Sequence, residues 1–323
     1  MTTLMPDEPT PELWELSRQI RDYGHNPRHI ERLYSAPFDW HQLWTALNII
    51  DDVDLAIKAY VDADFPATPG EQYLRVFGIF QALFVQQDAL RHFVEVILPG
   101  SHTTFIDVLK DVREARNASV GHPSELRRGG EVSAHGINRS TMGKDGFQLM
   151  SCSDKTDVSF QYVPVMELIA KQRKEAARIL SEVITELNVR DEEHKSKFRS
   201  ESMKGTFHLV LYAFEKISEE LRGSQPVILA KWAVGELQSA LDRFEQMLKK
   251  RGMDVETYDS VKFHYGEIEY PLGELRKFFE GGQSEIASPK AAGVYAAAVQ
   301  VSFVELMDIA GEIDEEYLRA VQT

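Results

Sequence analysis

Apolar residues recur at helical spacing along most of this chain of 323 residues. Residues at positions i, i+3, i+4 and i+7 lie on one face of an α-helix, so this spacing predicts amphipathic helices that bury one side. Before the C-terminal part, the pattern predicts helices from about Asp39 to Asp62, from Glu71 to Ile97 and from Val165 to Asn188 or beyond. A mostly α fold follows from this pattern.

The C-terminal part of the chain shows the same spacing and favours four further helices. Ser288 and Pro289 are a typical helix start, because serine caps the first turn and proline suits the first helical position. The pattern is that of a helical core, with no group that we expect to be catalytic. The predicted helices are Ser202 to Leu221, Pro226 to Lys250, about Val255 to Phe279 with a break near Pro271, and Pro289 to Val321.

The stretch from Gly129 to Val165 differs from the rest of the chain. It holds five glycines and short segments in which apolar and polar residues alternate, with turn-rich sequence between them. Alternation with a period of two is typical of strands that bury one face. The segments Glu131 to Ile137, Phe147 to Ser151 and Val158 to Val163 therefore predict a small antiparallel β meander inserted into a helical protein.

The composition limits the class of protein. A hydrophobic share of 43% is enough for a buried core, and the single cysteine, Cys152, excludes an intrachain disulfide framework. The segment from Met1 to Pro11 is polar and proline-rich, unlike a signal peptide, and no uncharged stretch approaches the roughly 20 residues that cross a bilayer. We therefore expect a cytoplasmic protein without a membrane partner.

The net charge of -15 argues against broad, non-specific binding of nucleic acid, because an acidic surface repels phosphate. The sign of the charge reverses locally. Between Leu109 and Lys144 there are seven basic residues and four acidic ones. A site for RNA would therefore have to be confined to this part of the surface, although a small basic surplus over so short a stretch also arises by chance.

One predicted helix carries a charged residue where its pattern calls for an apolar one. Phe105, Val108, Leu109 and Val112 follow helical spacing, and the next position on the same face is Arg116. A guanidinium on a buried face is costly unless it is paired, reaches solvent or faces a partner chain. Arg116 therefore indicates a role beyond packing.

The same helix should end soon after Arg116. Gly121 is able to adopt the left-handed conformation that closes many helices, and Pro123 disfavours helical geometry at the residue before it. We therefore expect His122 just beyond the end of the helix, in an extended conformation.

Four polar residues interrupt the dense apolar surface of the helix predicted from Glu71 to Ile97. One interpretation is a solvated face together with a satisfied polar group in the core. The other is that some of these residues position Arg116 or His122. The four are Gln81, Gln86, Gln87 and Asp88.

The segment Arg116-Asn117-Ala118-Ser119-Val120-Gly121-His122 resembles the motif of the HEPN superfamily, the higher eukaryotes and prokaryotes nucleotide-binding domains. The family motif is an arginine and a histidine separated by four to six residues, at the end of a helix in an all-α bundle. Five residues intervene here, and Asn117 supplies the polar residue that follows the arginine. The resemblance covers about Asp39 to Asn188.

The resemblance implies a metal-independent endoribonuclease that uses the 2′-hydroxyl of RNA as the nucleophile. Arg116, Asn117 and His122 would be its catalytic residues. Histidine moves a proton near neutral pH, arginine stabilises charge that grows on phosphate, and the asparagine would orient or polarise the site. No metal and no other cofactor is expected. The candidate substrate-binding residues are Arg113, Arg127 and Arg128.

In the family, two motifs meet across a dimer interface to form one cleft. The resemblance therefore implies a homodimer whose interface includes the helix from Thr103 to Val120. Family members often belong to toxin–antitoxin or phage-defence systems. This would make RNA the substrate and a protein antitoxin a partner.

A second hypothesis is a HEPN-like helical binding or scaffold protein without catalysis. It expects Arg116 to pair with a carboxylate, His122 to cap the helix end and Asn117 to bond to a loop. The acidic charge and the long C-terminal helical region favour this alternative. An unrelated all-α enzyme with a different site is a third.

These expectations divide the chain into three parts. Residues 1–35 are a lead-in, residues 36–198 are a HEPN-like helical bundle with the β meander at 129–165, and residues 199–323 are an all-α region. The charged run from Arg190 to Lys197 is either a solvated extension of a helix or a boundary.

Overall fold

A computed structural model gives the fold of the chain. It describes residues 12–26, 29, 37–98, 109–128, 131–223 and 227–319. Residues 1–11 of the predicted lead-in and the predicted start of the motif helix, Thr103 to Val108, lie outside these ranges. The described residues form helices and one small antiparallel sheet, which confirms the mostly α class with an inserted meander.

The chain divides into two compact units. The first contains Met1–Tyr23 and Leu33–Glu186, and the second contains Gly24–Arg32 and Leu187–Thr323. The boundary after Glu186 falls inside the longest helix, α5. The helices up to this point are α1 (Leu13–His25), α2 (Pro37–Asp62), α3 (Pro69–Ile97), α4 (Lys110–Arg116) and α5 (Val165–Phe198).

Helices α2 and α3 form a hairpin in the first unit. Thr68 starts α3: its hydroxyl oxygen accepts a hydrogen bond from the Glu71 amide and donates one to the Glu71 carboxylate, while Pro69 takes the first helical position. Four of the six residues that helical spacing places on the apolar face of α2 are buried, and the other two, Val53 and Val61, are half-buried. The buried four, Leu43, Leu47, Ile50 and Ile57, are at most 1% exposed. Most of the buried side chains of α3 are apolar as well, which suits its place in the core.

The sheet has four described strands in the order β1-β2-β3-β4, each antiparallel to the next. Three of them confirm the predicted meander, and the short first strand was not predicted. In the register, His135 pairs with Ser151, and Leu149 pairs with Gln161. The strands are β1 (Leu126–Arg128), β2 (Glu131–Ile137), β3 (Phe147–Ser153) and β4 (Ser159–Val163).

One face of the sheet is apolar at one end and polar at the other. At the apolar end, Phe147 and Val163 are buried, and the Phe147 ring meets Phe80 of α3 edge to face at 6.1 Å. Residues two apart along a strand share a face. The same face of β2 and β3 therefore carries His135 and Ser151 at its polar end, which lies towards the turn that follows α4.

The second unit is a helical core. Its elements after α5 are a 3₁₀ turn (Lys204–Phe207), α6 (Val210–Leu221), α7 (Val227–Lys250), α8 (Asp259–Glu280) and α9 (Pro289–Leu318). As predicted, the Ser288 hydroxyl caps α9 by accepting a hydrogen bond from the Ala291 amide. Aromatic rings fill the centre, where Phe303 makes edge contacts with Phe207 and Phe214.

The predicted break at Pro271 is wrong, because α8 is one continuous helix through this residue. A proline inside a helix removes one hydrogen bond of the backbone and costs about 3 kcal/mol. Ile268, Leu272 and Leu275 on either side of it are at most 1% exposed. Burial of this face stabilises the helix on both sides of the proline and offsets the lost bond.

The charged run from Arg190 to Lys197 continues α5 and is not fully solvated. Asp191 and Lys195 are 4% and 6% exposed, and their charged groups lie 3.1 Å apart. The Asp191 carboxylate also lies 3.1 Å from the ring of His29, which is 4% exposed. The run is therefore a helix extension, one of the two alternatives that the sequence left open, but it is only partly solvated. Opposite charges one helical turn apart offset the burial of Asp191 and Lys195.

Among the described helices, α9 alone is long and apolar enough to cross a membrane, judged by length and composition. One third of its most apolar window is buried within the protein. Its buried face includes Val299, Phe303 and Leu306, none of them measurably exposed. Core helices of water-soluble proteins meet the same criteria of length and composition.

Candidate functional site

The motif helix ends in a π-helical turn. Helix α4 continues directly into Asn117–Gly121, and the His122 amide donates a 2.8 Å hydrogen bond to the Asn117 carbonyl five residues before it. Gly121 does not adopt a positive φ, so the predicted left-handed closure is wrong. Single π turns within helices are frequent at functional sites.

His122 lies just beyond this turn, as predicted, but its backbone is not fully extended. Its φ of -139° suits a residue before proline, whereas its ψ of 55° lies outside the β region. The hydrogen bond to the Asn117 carbonyl holds the backbone in this conformation. The His122 side chain is exposed, and its ring makes no hydrogen bond with any described residue.

Arg116 is held by an aromatic ring and two amides. Its guanidinium carbon lies 4.4 Å from the centroid of the Phe84 ring. Nη2 donates to Gln81 Oε1 at 3.2 Å, and Nη1 donates to Asn117 Oδ1 at 3.0 Å. Within the described part of the chain, Arg116 forms no ion pair. Cation–π stacking and neutral acceptors thus offset its partial burial without neutralising its charge.

The guanidinium of Arg116 also lies against the backbone of Gly121. A Cβ atom at position 121 would be 2.6 Å from Arg116 Nη1 and 3.3 Å from Asn117 Oδ1. Glycine therefore leaves the space that the guanidinium occupies. The arginine of the motif is in contact with the residue immediately before its histidine.

Arg113, one helical turn earlier, lies on the same ring but has a different electrostatic environment. Its guanidinium carbon is 4.9 Å from the Phe84 centroid. Nε donates to Gln87 Oε1 at 2.8 Å, and Nη2 forms an ion pair with Asp88 at 2.5 Å. A carboxylate therefore neutralises Arg113. The other candidate substrate-binding residues, Arg127 and Arg128, lie on β1, and their side chains are outside the described part of the structure.

A chain of buried amides supports these contacts. Gln86, Gln87 and Gln172 have no measurable exposure. Gln87 Nε2 donates to Gln172 Oε1 at 2.7 Å, and Gln172 Nε2 donates to Gln86 Oε1 at 3.0 Å. Fixing the Gln87 amide in this way directs its oxygen to Arg113. Of the four polar residues on α3, Gln81 alone contacts Arg116 among the described residues, as the second interpretation expects. Gln87 and Asp88 contact Arg113, which neither interpretation predicts, and Gln86 is a satisfied core group.

The structure adds a residue that sequence reasoning missed. The His135 amide on β2 donates a 2.6 Å hydrogen bond to the carbonyl of Pro123, the residue after His122. The His135 ring lies 2.8 Å from Ser151 Oγ through Nδ1 and 3.1 Å from Ser133 Oγ through Nε2. Burial lowers the pKa of His135 and favours its neutral form. The alternating pattern of β2 predicts a shared face for His135 and Ser133, but no local signal connects that face to the motif.

A cavity of about 630 Å³ lies between the motif turn and the polar end of the sheet. Asn117 and Ala118 line it from the turn, and Ser151 and Gln161 line it from the sheet, together with His135. Asn117 thus contacts the cavity and, through Oδ1, the guanidinium of Arg116. The volume lies within the range of about 300–1,000 Å³ that is usual for small-molecule sites.

Among the described residues, no group of three His, Cys, Asp or Glu side chains is placed to hold a metal ion. The chemistry that this site offers comes from one uncompensated guanidinium, one exposed imidazole and the amide of Asn117. Comparisons with known proteins find no matching family model, no matching curated protein and no matching solved structure.

Proposed function

We propose that this chain is a metal-independent endoribonuclease of the HEPN type. The single observation that carries the proposal is the packing of the Arg116 guanidinium against Gly121, next to His122. A positive group that binds phosphate and a group that moves protons are both needed to cleave RNA without a metal. In the motif turn, the guanidinium lies against the residue that precedes His122.

The charge of Arg116 is available to a substrate. Its partners are the neutral side-chain oxygens of Gln81 and Asn117, whereas Asp88 neutralises Arg113 nearby. In the proposed reaction, the 2′-hydroxyl loses its proton and its oxygen bonds to the adjacent phosphorus. The bond from phosphorus to the 5′-oxygen breaks, and this oxygen leaves as a hydroxyl after it takes up a proton. The products are a 2′,3′-cyclic phosphate and a 5′-hydroxyl end.

His122 suits the transfer of these protons because its ring is exposed and makes no hydrogen bond with the described residues. Removal of one proton and delivery of another call for two groups. A homodimer would supply two copies of His122 to one composite cleft, with Arg116 stabilising the charge on the phosphate. The amide of Asn117 would orient the Arg116 guanidinium that it already contacts.

The non-catalytic alternative makes different demands on the same residues. It expects an ion pair for Arg116, a capping bond from His122 and a bond from Asn117 to a loop. Instead, Arg116 has two neutral partners, one of which is Asn117, and the His122 ring makes no bond with described residues. These contacts favour the catalytic interpretation.

The proposal is tested with purified protein and mixed RNA in EDTA. We expect cleavage that persists without metal, leaves 2′,3′-cyclic phosphate ends and fails on RNA with deoxyribose at the cut site. His122→Ala and Arg116→Ala should each lower the rate by about 10²- to 10⁴-fold. His41→Ala, which removes another exposed histidine, is the matched control and should retain the rate.

The composite site is tested by light scattering at micromolar concentration, where we expect a dimer. A strict monomer would remove the composite cleft and the catalytic proposal with it. Cleavage that requires a metal, or a rate unchanged in His122→Ala, would assign the activity to a different site or to a contaminant.

A further inference from the structure

We propose that the cavity beside the motif turn binds one base of the RNA strand whose phosphate lies at Arg116. This inference rests on the proposed function, because it places the base and the phosphate of one substrate on two sides of Asn117. Asn117 Oδ1 accepts a hydrogen bond from Arg116, and Asn117 is also one of the residues that line the cavity.

The charges around the cavity favour an uncharged ligand. Among the acidic and basic residues that line it, Asp111 is paired with Lys171 at 2.6 Å, and Arg113 is paired with Asp88. The remaining charged lining residues, Lys110 and Glu114, have opposite signs. The cavity therefore has no surplus of positive charge for a phosphate, and an uncharged group that carries hydrogen-bond donors and acceptors fits it better.

The cavity offers both kinds of hydrogen-bonding group. The Asn117 amide nitrogen and the Gln161 side-chain amide make no hydrogen bond with other described residues. The Ser151 hydroxyl and the neutral ring of His135 form a hydrogen-bonded pair beside them. Amides and hydroxyls of this kind read the edge of an unstacked base in single-stranded RNA.

The walls of the cavity suit the flat faces of a base. Leu149 and Val163 of the sheet and Leu168 of α5 line it, and each is less than 8% exposed. Such apolar surfaces contact the faces of the base, while the amides form hydrogen bonds with its edge. Apolar walls with a few convergent polar groups are thus arranged for a planar, uncharged heterocycle.

The test measures the binding of fluorescent octaribonucleotides to the full chain by anisotropy. The oligonucleotides carry 2′-O-methyl groups, which prevent attack by the 2′-oxygen, and a single abasic position is moved along the strand. We expect one position at which loss of the base weakens binding by about tenfold, the usual scale for one bound base.

Gln161→Ala should weaken the binding of the oligonucleotide without an abasic position by about fivefold. It should also reduce the loss of affinity that the sensitive abasic position causes. Gln148→Ala is the matched control, because it makes the same change on the neighbouring strand, on the opposite face of the sheet. We expect it to bind like the wild type. Ala115→Leu, which fills the cavity from α4, should weaken binding in the same way as Gln161→Ala.

The outcomes separate this inference from the proposed function. If unmodified RNA is cleaved but no abasic position changes the binding affinity, the base site is overturned and the proposed nuclease activity stands. If one abasic position weakens binding, this effect depends on Gln161 and unmodified RNA is not cleaved, the base site is supported and the proposed nuclease activity is overturned. Free nucleosides that bind as tightly as the octamer, with no abasic effect, would identify a site for a free ligand and overturn the assignment to RNA.

Discussion

Arg116 stacks on Phe84, a residue of another helix, with the guanidinium carbon 4.4 Å from the ring centroid. Gln81, which is one turn earlier on α3, binds the same guanidinium. The position of the motif arginine is therefore set by a helix that lies more than 30 residues earlier in the chain. Changes on α3 and at Gly121 should alter the site without removing any of its chemical groups.

Gly121→Ala should lower cleavage by about 10²-fold, since its Cβ would displace the Arg116 guanidinium and small misplacements of a catalytic group have effects of this size. The displaced atom is the end of a flexible side chain, so the free energy of unfolding should change by less than about 1 kcal/mol. Urea denaturation and single-turnover cleavage measure the two effects. Gly78→Ala is the control: nothing lies near its Cβ, and it should stabilise α3 by about 0.5–1 kcal/mol. Retention of full activity in Gly121→Ala would show that the guanidinium need not lie there.

Gln81→Glu should lower cleavage while leaving the fold intact. The new carboxylate would form an ion pair with Arg116 in place of the present neutral hydrogen bond, and its charge would compete with the phosphate. Gln81→Met, which removes the acceptor but adds no charge, separates loss of positioning from neutralisation. We expect the salt dependence of RNA binding to weaken in Gln81→Glu and to stay as in the wild type in Gln81→Met. Equal rates for the two variants would argue against a role for the free charge.

Gln172→Met should destabilise the first unit by about 3 kcal/mol. Methionine cannot replace the three hydrogen bonds that the Gln172 amide makes with the Gln87 amide nitrogen, the Gln86 side-chain oxygen and the Leu83 carbonyl. These bonds lie in a site that is closed to solvent, where the loss of a partner is costly. Lys174→Met, on the exposed face of the same helix, should change the free energy of unfolding by less than about 0.5 kcal/mol. Urea denaturation of both variants measures the difference, and similar values for the two would mean that the amide chain does not contribute to stability.

Wild-type protein should lose stability as the pH falls below about 6.5, in part because of His135. Burial lowers the pKa of this residue in the folded protein, so the unfolded chain binds the proton first as the pH decreases. The contribution of neutral His135 to the free energy of unfolding is complete above the pKa that the residue has in the unfolded chain. It is lost as the pH falls through the lower pKa that the residue has in the folded protein. His135→Gln should lose less unfolding free energy between pH 7.5 and pH 5 than the wild type does. Equal losses in the two proteins would exclude a contribution from His135.

Local patterns were enough to predict much of the fold. The alternation from Glu131 to Ile137 matches the bounds of β2, and helical spacing located each long helix to within a few residues at most ends. β1 was missed because three residues are too short for a period to be visible, and its pairing depends on β2. The continuity of α8 at Pro271 was missed for a related reason: burial on both sides outweighs a local rule.

The candidate site was predictable only where its residues are neighbours in sequence. Arg116 on an apolar face, Asn117 after it and His122 beyond the helix end are visible in one short stretch. The positions of His135 and Ser151 near the motif were not predictable from the sequence. They depend on the register of β2 and β3 and on the hydrogen bond from the His135 amide to the Pro123 carbonyl. The π turn was also hidden, since its residues do not differ in type from those of an ordinary helix end.

The π turn has a consequence for insertions and deletions in this segment. Each residue of an α-helix turns the chain by about 100°, so a deletion within regular helix would rotate His122 away from Arg116. The wider turn at Asn117–Gly121 holds one residue more than an α turn does. Loss of one residue here would tighten the winding and keep both ends of the turn near their present places. Chains with different numbers of residues between the arginine and the histidine can thus present the two side chains alike, provided that the winding of this turn changes with the length.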